Sequence, residues 1–319
     1  MSSVTVAAVQ LELALGEVSV NLSRAEQAVK EVCRAAEPQF VVVPEFFTSG
    51  MALSRGVPET VSRGTRRAAV ELLQTMAVEH NTYVAGSLLI EDGGDVVNRM
   101  YLAGPDRDLQ WHDKDVPTMW ENFYFTGRGD PGVAATRHGP VGLAMCWEFC
   151  RTATAHRLAD KVNLVLGASC YWSAPSLRQG APDGPTARQA RERRVAVVRR
   201  FAGLLRRPVV NATAAGRLSA PVPGTLGALR YHARFEPATQ ILDGTGTPLA
   251  LGDEDGPCSV VASVDIGGAG TAAALPDDPW LRERDLGQRV FWWFGSTLGP
   301  VHYRLAARRR VRRADRGDD

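Results

Sequence analysis

Apolar positions follow two rhythms along this chain, and the rhythms alternate. "VTVAAVQLEL" (4–13) is an apolar, β-leaning run, while "NLSRAEQAVKEVCRAA" (21–36) spaces its apolar residues as a helix does, with Asn21 or Ser23 available as a cap. "FVVVPEF" (40–46) is a short continuous apolar run, as expected for a strand covered on both faces. "TRRAAVELLQTMAVEHN" (65–81) predicts a second helix and "YVAGSLLI" (83–90) the next strand. This β-α-β-α-β order implies a layered α/β fold.

The pattern changes after residue 91. "GDVVNRMYLAGPDRDLQWHDK" (94–114) reads as two strands joined by a Gly-Pro-Asp turn, and a loop-rich stretch runs on to about residue 132. "PVGLAMC" (140–146) predicts a buried strand, "TATAHRLADK" (152–161) a helix and "VNLVLGAS" (162–169) a strand. "TARQARERRVAVVRRFAGLLRR" (186–207) is an amphipathic helix with a basic face. "PVVNAT" (208–213), "ATQILD" (238–243) and "CSVVASVDI" (258–266) complete the strands. No repeat at solenoid periods is present. The simplest organisation is one α/β domain over residues 1–275 and a helical extension with a basic tail over 276–319, expected to take part in subunit contacts. The extension holds Trp280 and "FWWF" (291–294), which either caps the core of its own subunit or buries itself against another.

Composition narrows the function classes. The 319 residues are 45% apolar and 23% charged, ordinary for a soluble globular protein. A net charge of +2 is too small to point to nucleic acid as a partner. The basic clustering sits mostly in "ARRRVRRADRGDD" (307–319), which reads as a solvated tail. The five cysteines (Cys33, Cys146, Cys150, Cys170, Cys258) are odd in number and widely spaced, which suggests neither a disulfide framework nor a metal site. The N-terminal stretch lacks a signal-peptide pattern, and no uncharged apolar stretch approaches membrane-spanning length. The expected setting is therefore cytoplasmic and reducing, with no membrane partner.

Three reactive residue types stand where apolar strands stop: Glu45 after "FVVVP", Lys114 after "LQWHD" and Cys146 after "VGLAM". Each alone is commonplace. Together they form a set. A thiol needs a base to become a nucleophile at neutral pH, a carboxylate can serve as that base, and an ammonium can hold the developing oxyanion. The six histidines are scattered, and spacing alone leaves a Cys/His dyad with His138 or His156 open.

These blocks resemble the nitrilase superfamily of carbon–nitrogen hydrolases. "VVVPEFF" (41–47) is similar to its glutamate block, "HDKDVPTMWENFYFTGRGD" (112–130) to its lysine block and "GPVGLAMCWEFCR" (139–151) to its cysteine block. The resemblance extends over roughly residues 4 to 266. It implies a four-layer αββα sandwich that needs no metal or organic cofactor and commonly assembles as a homodimer or larger homo-oligomer. It implies Glu45 as general base, Cys146 as nucleophile, and Lys114 with the backbone N–H of Trp147 as oxyanion partners. Glu121 matches a second glutamate that positions substrate and catalytic groups. The reaction implied is attack on a carbon bound to nitrogen, loss of ammonia or an amine from a thioester or thioimidate, and hydrolysis of the acyl-enzyme.

The branch is less sharply marked. "CWE" and the spacing Lys-x-x-Pro-Thr-x-x-Glu (114–121) resemble true nitrilases, but the Met-Pro pair that usually follows is missing, and Glu148 and Arg151 take the acidic and basic places found in amidases. A small-molecule amidase is the expected activity. A nitrilase, an N-carbamoyl hydrolase and an amide-forming acyltransferase are the alternatives, and intact Glu45, Lys114 and Cys146 argue against a non-catalytic scaffold. Arg151 is expected to serve either the structure or the substrate. Trp120, Phe123, Tyr124, Tyr171 and Trp172 flank the site in sequence, either as core or as an aromatic wall, with Tyr171 and Trp172 ranked first for the wall. Cys150 is expected to be a spare buried thiol.

Overall fold

A computed structural model describes residues 3–51, 61–173, 176–177, 185–222, 228–253, 256–267, 270–282 and 284–309. Two sheets carry the fold. In the first, β1 (Ser3–Glu12) pairs in parallel with β2 (Phe40–Val42) and β2 with β3 (Tyr83–Asp92); β4 (Asp95–Ala103) and β5 (Leu109–Asp113) add antiparallel strands on one edge. The second sheet starts from the short β6 (Val133–Ala134), which pairs antiparallel with β7 (Val141–Met145), and continues in parallel from β7 through β8 (Leu164–Ser169) to β9 (Val209–Ala215). A separate hairpin, β10 (Arg217–Pro221) with β11 (Arg230–Arg234), follows. Strands β12 (Gln240–Leu242) and β13 (Pro248–Leu251) then extend the β9 edge of the second sheet, and β14 (Cys258–Asp265) pairs antiparallel with β1. The sheets meet where Leu11 and Glu12 of β1 pair with Ala214 and Ala215 of β9.

Alternation along the strands builds the layers. Val4, Val6 and Ala8 of β1 enter a core shared with Leu143 of β7, Leu166 of β8 and Val210 of β9, so this core lies between the sheets. Ala7, Val9 and Leu11 face the other way, onto Ala25 and Val29 of α1 (Val18–Ala36) and Leu73 and Met76 of α2 (Arg63–Glu79). On the far side, Ala144 and Val165 pack against Leu158 of α3 (Thr152–Leu158) and Val198 and Phe201 of α4 (Pro185–Leu205). Helices therefore cover both outer faces, and the αββα order is the expected one. Among the described residues, no helix is long and apolar enough to cross a membrane.

Several boundaries differ from the sequence reading. Helix α1 begins at Val18, so neither Asn21 nor Ser23 caps it. Asn21 is buried one turn in, accepting from the Ala14 N–H (2.8 Å) and donating to the Thr48 carbonyl (3.0 Å). Strand β2 stops at Val42, because the chain turns at Pro44 and Phe46 takes a left-handed φ of 55°. The β10–β11 hairpin and β13 lie outside the expected strands: β10 and β11 alternate buried and more open positions but are only five residues each, and β13 is shorter still and mostly exposed.

The C-terminal helix α5 (Leu286–His302) lies on a 3-10 helix formed by Met119–Phe123. Small residues permit the approach: a Cβ on Gly295 would fall 2.1 Å from the Met119 carbonyl oxygen, and one on Gly299 would fall 2.5 Å from Asn122 Cβ. Phe291, Trp292 and Phe294 touch Trp120, Trp147 and Phe123 respectively, with ring centroids 6.0, 5.8 and 5.7 Å apart, yet Phe291 and Phe294 stay 41% and 37% exposed and Trp293 65%. "FWWF" thus contacts its own subunit along one side and leaves apolar surface open on the other. The basic tail beyond residue 309 lies outside the described residues.

Candidate active site

Each reactive residue stands in the turn just after a strand. Glu45 follows β2, Lys114 follows β5, and Cys146 follows β7 and opens a 3-10 helix, Cys146–Cys150. In layered α/β proteins, side chains at the carboxyl ends of parallel strands are free to converge, as they do here after β2 and β7. The convergence is accompanied by backbone strain. Phe46, Met119 and Cys146 all hold left-handed φ values (55°, 48° and 49°), although none is glycine. One strained residue therefore lies next to Glu45, one two residues before Glu121, and one is the thiol itself; such positions persist where the surrounding structure fixes them.

Lys114 is the hub. Its Nζ donates to Glu45 Oε1 (2.8 Å) and to both oxygens of Glu121 (3.0 and 2.8 Å), and all three side chains are buried. Glu45 Oε1 also accepts from Asn98 Nδ2 (2.8 Å), and Oε2 accepts from the Cys170 N–H (3.0 Å). Glu121 Oε2 is fixed by the Thr118 N–H (2.6 Å). Burial raises the Glu45 pKa to about 7; Lys114 opposes the shift and Glu121 adds to it. Lys114 rises well above its ordinary value despite burial, because two carboxylates face one ammonium. Burial pushes the Cys146 thiol well up, and Glu45 pushes it further against the pull of Lys114. The resting thiol is therefore neutral, held beside a carboxylate with a pKa near the operating range of a general base.

A second polar cluster holds the cysteine turn from behind. Glu148 is buried and accepts from the Met145 N–H (2.7 Å), the Asp115 N–H (3.3 Å) and His112 Nε2 (3.1 Å). His112 Nδ1 lies 2.7 Å from Asp130. Burial disfavours the charged imidazole, but Glu148 and Asp130 outweigh it and lift the His112 pKa to about 9. Burial likewise disfavours the Glu148 carboxylate, and His112 outweighs it, lowering that pKa. The pair ties the turn carrying Lys114 to the turn carrying Cys146.

Above the thiol opens a cavity of about 310 Å³. Cys146 and Glu121 reach it, Trp120, Trp147, Tyr171 and Trp172 form its walls, and arginines lie along its rim.

A family model for carbon–nitrogen hydrolases matches residues 5–198. The chain belongs to the carbon–nitrogen hydrolase family. This carbon–nitrogen hydrolase is 29% identical over 177 residues to the 2-oxoglutaramate amidase of Bacillus subtilis (strain 168), a match covering 54% of this chain and 67% of that protein. It is 26% identical over 162 residues to a nitrilase of Pyrococcus abyssi (strain GE5 / Orsay), covering 50% of this chain and 61% of that one. Its fold superposes on a carbon–nitrogen hydrolase of Helicobacter pylori G27 with a TM-score of 0.71 at 16% identity, over 93% of this chain and 95% of the other.

The residues singled out in this carbon–nitrogen hydrolase divide into two groups. Glu45, Lys114, Glu121 and Cys146 gather at one place, and Trp120, Trp147, Tyr171 and Trp172 border the cavity above it. Arg151 does not line the cavity: its guanidinium pairs with Asp115, so it links the lysine turn to the cysteine turn. Phe123 and Tyr124 belong to the core on the outer face of the first sheet, and Cys150 is buried among the residues under α4. Sequence reading passed over Asn98, His112 and the rim arginines. A lone asparagine inside the apolar run "VVNRMYLA" was the available signal for the first; the others lacked one, because their partners are distant in the chain.

Proposed function

We propose that this carbon–nitrogen hydrolase cleaves a small-molecule amide to an acid and ammonia through a thioester on Cys146. The observation that supports this most is the buried Glu45–Lys114–Glu121 cluster beside a neutral thiol at the floor of a small cavity. Glu45 takes the thiol proton as Cys146 Sγ attacks the carbonyl carbon. The oxyanion so formed is held by Lys114 Nζ and by the Trp147 N–H, which stands at the start of a helix and has no partner within it. Glu45 returns the proton to the leaving nitrogen, the C–N bond breaks, and ammonia departs. A water then gives a proton to Glu45 and attacks the thioester carbonyl, and the departing sulfur regains that proton as the acid is released. Glu121 keeps Lys114 charged and in place.

Glu148 bears on the nitrile alternative. The "CWE" triplet gave a nitrilase-like signature, yet the Glu148 carboxylate is turned away from the cavity onto His112 and the Met145 and Asp115 amides. It supports the cysteine turn, so the triplet does not favour nitriles over amides. Ammonia release from a panel of aliphatic and ω-substituted amides tests the proposal. Full turnover by Cys146→Ala refutes the nucleophile, and acid and ammonia from a nitrile with none from the matching amide puts the nitrilase reading first.

A further inference from the structure

The cavity has two electrically different ends. Glu121 lines its floor, and just beneath, Glu45 and Glu121 share the single ammonium of Lys114, so the reacting end offers no surplus positive charge to an anion. At its rim stand Arg193, Arg194 and Arg282, with Asp285 the only acid lining that end among the described residues. Two of these four charged groups are already engaged. Arg194 ion-pairs with Glu236, donates to the Trp172 carbonyl (2.7 Å) and lies over the Tyr171 ring, so it builds the wall. Asp285 Oδ1 accepts from the Gln288 N–H (2.8 Å) and caps α5.

Arg282 is placed differently. Its guanidinium rests over the Trp147 indole, 5.4 Å from the ring centroid, and donates to the neutral amide oxygen of Gln288 (2.7 Å). Among the described residues, neither Arg282 nor Arg193 ion-pairs with any carboxylate. Arg282 also lies near enough to Arg194 for their charges to repel, which adds to the lowering of Arg194 that its burial causes. Two like charges held together on the wall of a cavity, one of them ion-paired with no carboxylate among the described residues, leave room for an anion. A planar guanidinium fixed on an aromatic face presents its remaining N–H groups in the fork that matches a carboxylate.

We infer that the substrate is an anionic amide, its carboxylate held at the rim by Arg282 with Arg193 and its scissile group at Cys146. This rests on the amide-hydrolase reading for the reaction, but not for the binding. The floor strengthens the polarity: a carboxylate directed at Glu121 meets a like charge, so the acid binds in one orientation. The cavity of about 310 Å³ lies at the small end of ligand sites, roughly 300–1,000 Å³, which suits a short acyl chain.

The test compares three amides of similar length: 4-carbamoylbutanoate, neutral pentanamide and cationic 4-aminobutanamide. The expected order of kcat/KM places the anion first by about tenfold or more. In Arg282→Gln the anionic-over-neutral ratio falls by about tenfold or more, Arg193→Gln lowers it less, and Arg282→Glu shifts preference toward the cation, a gain that misfolding does not produce. Equal use of the three amides, or a ratio unchanged in both glutamine variants, overturns the inference. Calorimetric binding of the same compounds to Cys146→Ala separates the two readings. Selective binding of the anion there, with no amide cleaved by the wild type, refutes the amide-hydrolase reading and sustains this one. Amide cleavage without anion selectivity does the reverse.

Discussion

Glu148→Gln removes the charge beneath the Cys146 turn while nearly keeping the side chain's shape. Wild-type Glu148 is 1% exposed and serves three donors, the Met145 N–H, the Asp115 N–H and His112 Nε2. Glutamine turns one acceptor oxygen into an NH₂ group facing donors, and leaves His112 with Asp130 as its remaining close carboxylate. Breaking a buried ion pair from one side costs about 3–5 kcal/mol, against about 5–15 kcal/mol for the net stability of a whole domain. His112 supplies a separate measure. Its rise from 6.5 to about 9 corresponds to about 3 kcal/mol, and Asp130 contributes part of it. A histidine whose folded pKa is raised gives stability that is complete below its unfolded value, here 6.5, and lost as the pH climbs through about 9. The stability gap between wild type and Glu148→Gln is therefore widest near pH 6, at about 3–5 kcal/mol. It narrows toward pH 10, where hydrogen-bond losses of about 1 kcal/mol remain. Urea unfolding at several pH values measures the gap directly, and subtraction cancels groups the substitution leaves alone. A gap below about 1 kcal/mol at pH 6, or one that widens with pH, refutes the argument.

Other outcomes follow from the same geometry. Because Glu45 must be ionised to act as base and burial raises its pKa to about 7, kcat/KM rises through an acid limb near that pH. Glu45→Gln removes the limb and lowers kcat by about 10²–10⁴-fold. Alkylation of Cys146 by iodoacetamide follows the same limb, since its resting thiol is neutral; pH-independent fast labelling would instead show a stable thiolate. Gly295→Ala forces a methyl group toward the Met119 carbonyl, 2.1 Å from its ideal position, so thermal unfolding records a loss of about 1–3 kcal/mol; an unchanged midpoint contradicts the close packing. Arg151→Gln breaks the link to Asp115 and leaves KM for the amide within about twofold, whereas a large rise in KM would return Arg151 to the substrate.

Legibility tracked distance along the chain. The first strands and helices were readable because each carries its own period, and Glu45, Lys114 and Cys146 because each sits in a recognisable block. Glu148 was visible but ambiguous: its letter fits a signature, while its role depends on His112, which spacing did not connect to the cysteine. Arg151 gave the opposite outcome, a charged residue near the nucleophile in sequence whose partner, Asp115, holds it out of the cavity. The rim arginines come from α4 and from the segment before α5, more than forty residues from the cysteine block, so only folding brings them to the cavity. Position along the strand did not decide these cases; the partner did.

The packing of α5 on the Met119–Phe123 turn also sets an order in time. During synthesis at about 5–20 residues per second, the ribosome releases the nucleophile block and the Glu121 turn well before the helix that covers both. For an interval on the order of ten seconds or more, the nascent chain holds Cys146, Lys114 and Glu45 without the helix that fixes Glu121 and without Arg282 on the rim. On the proposed reading, the residues that select the substrate are completed after those that react with it.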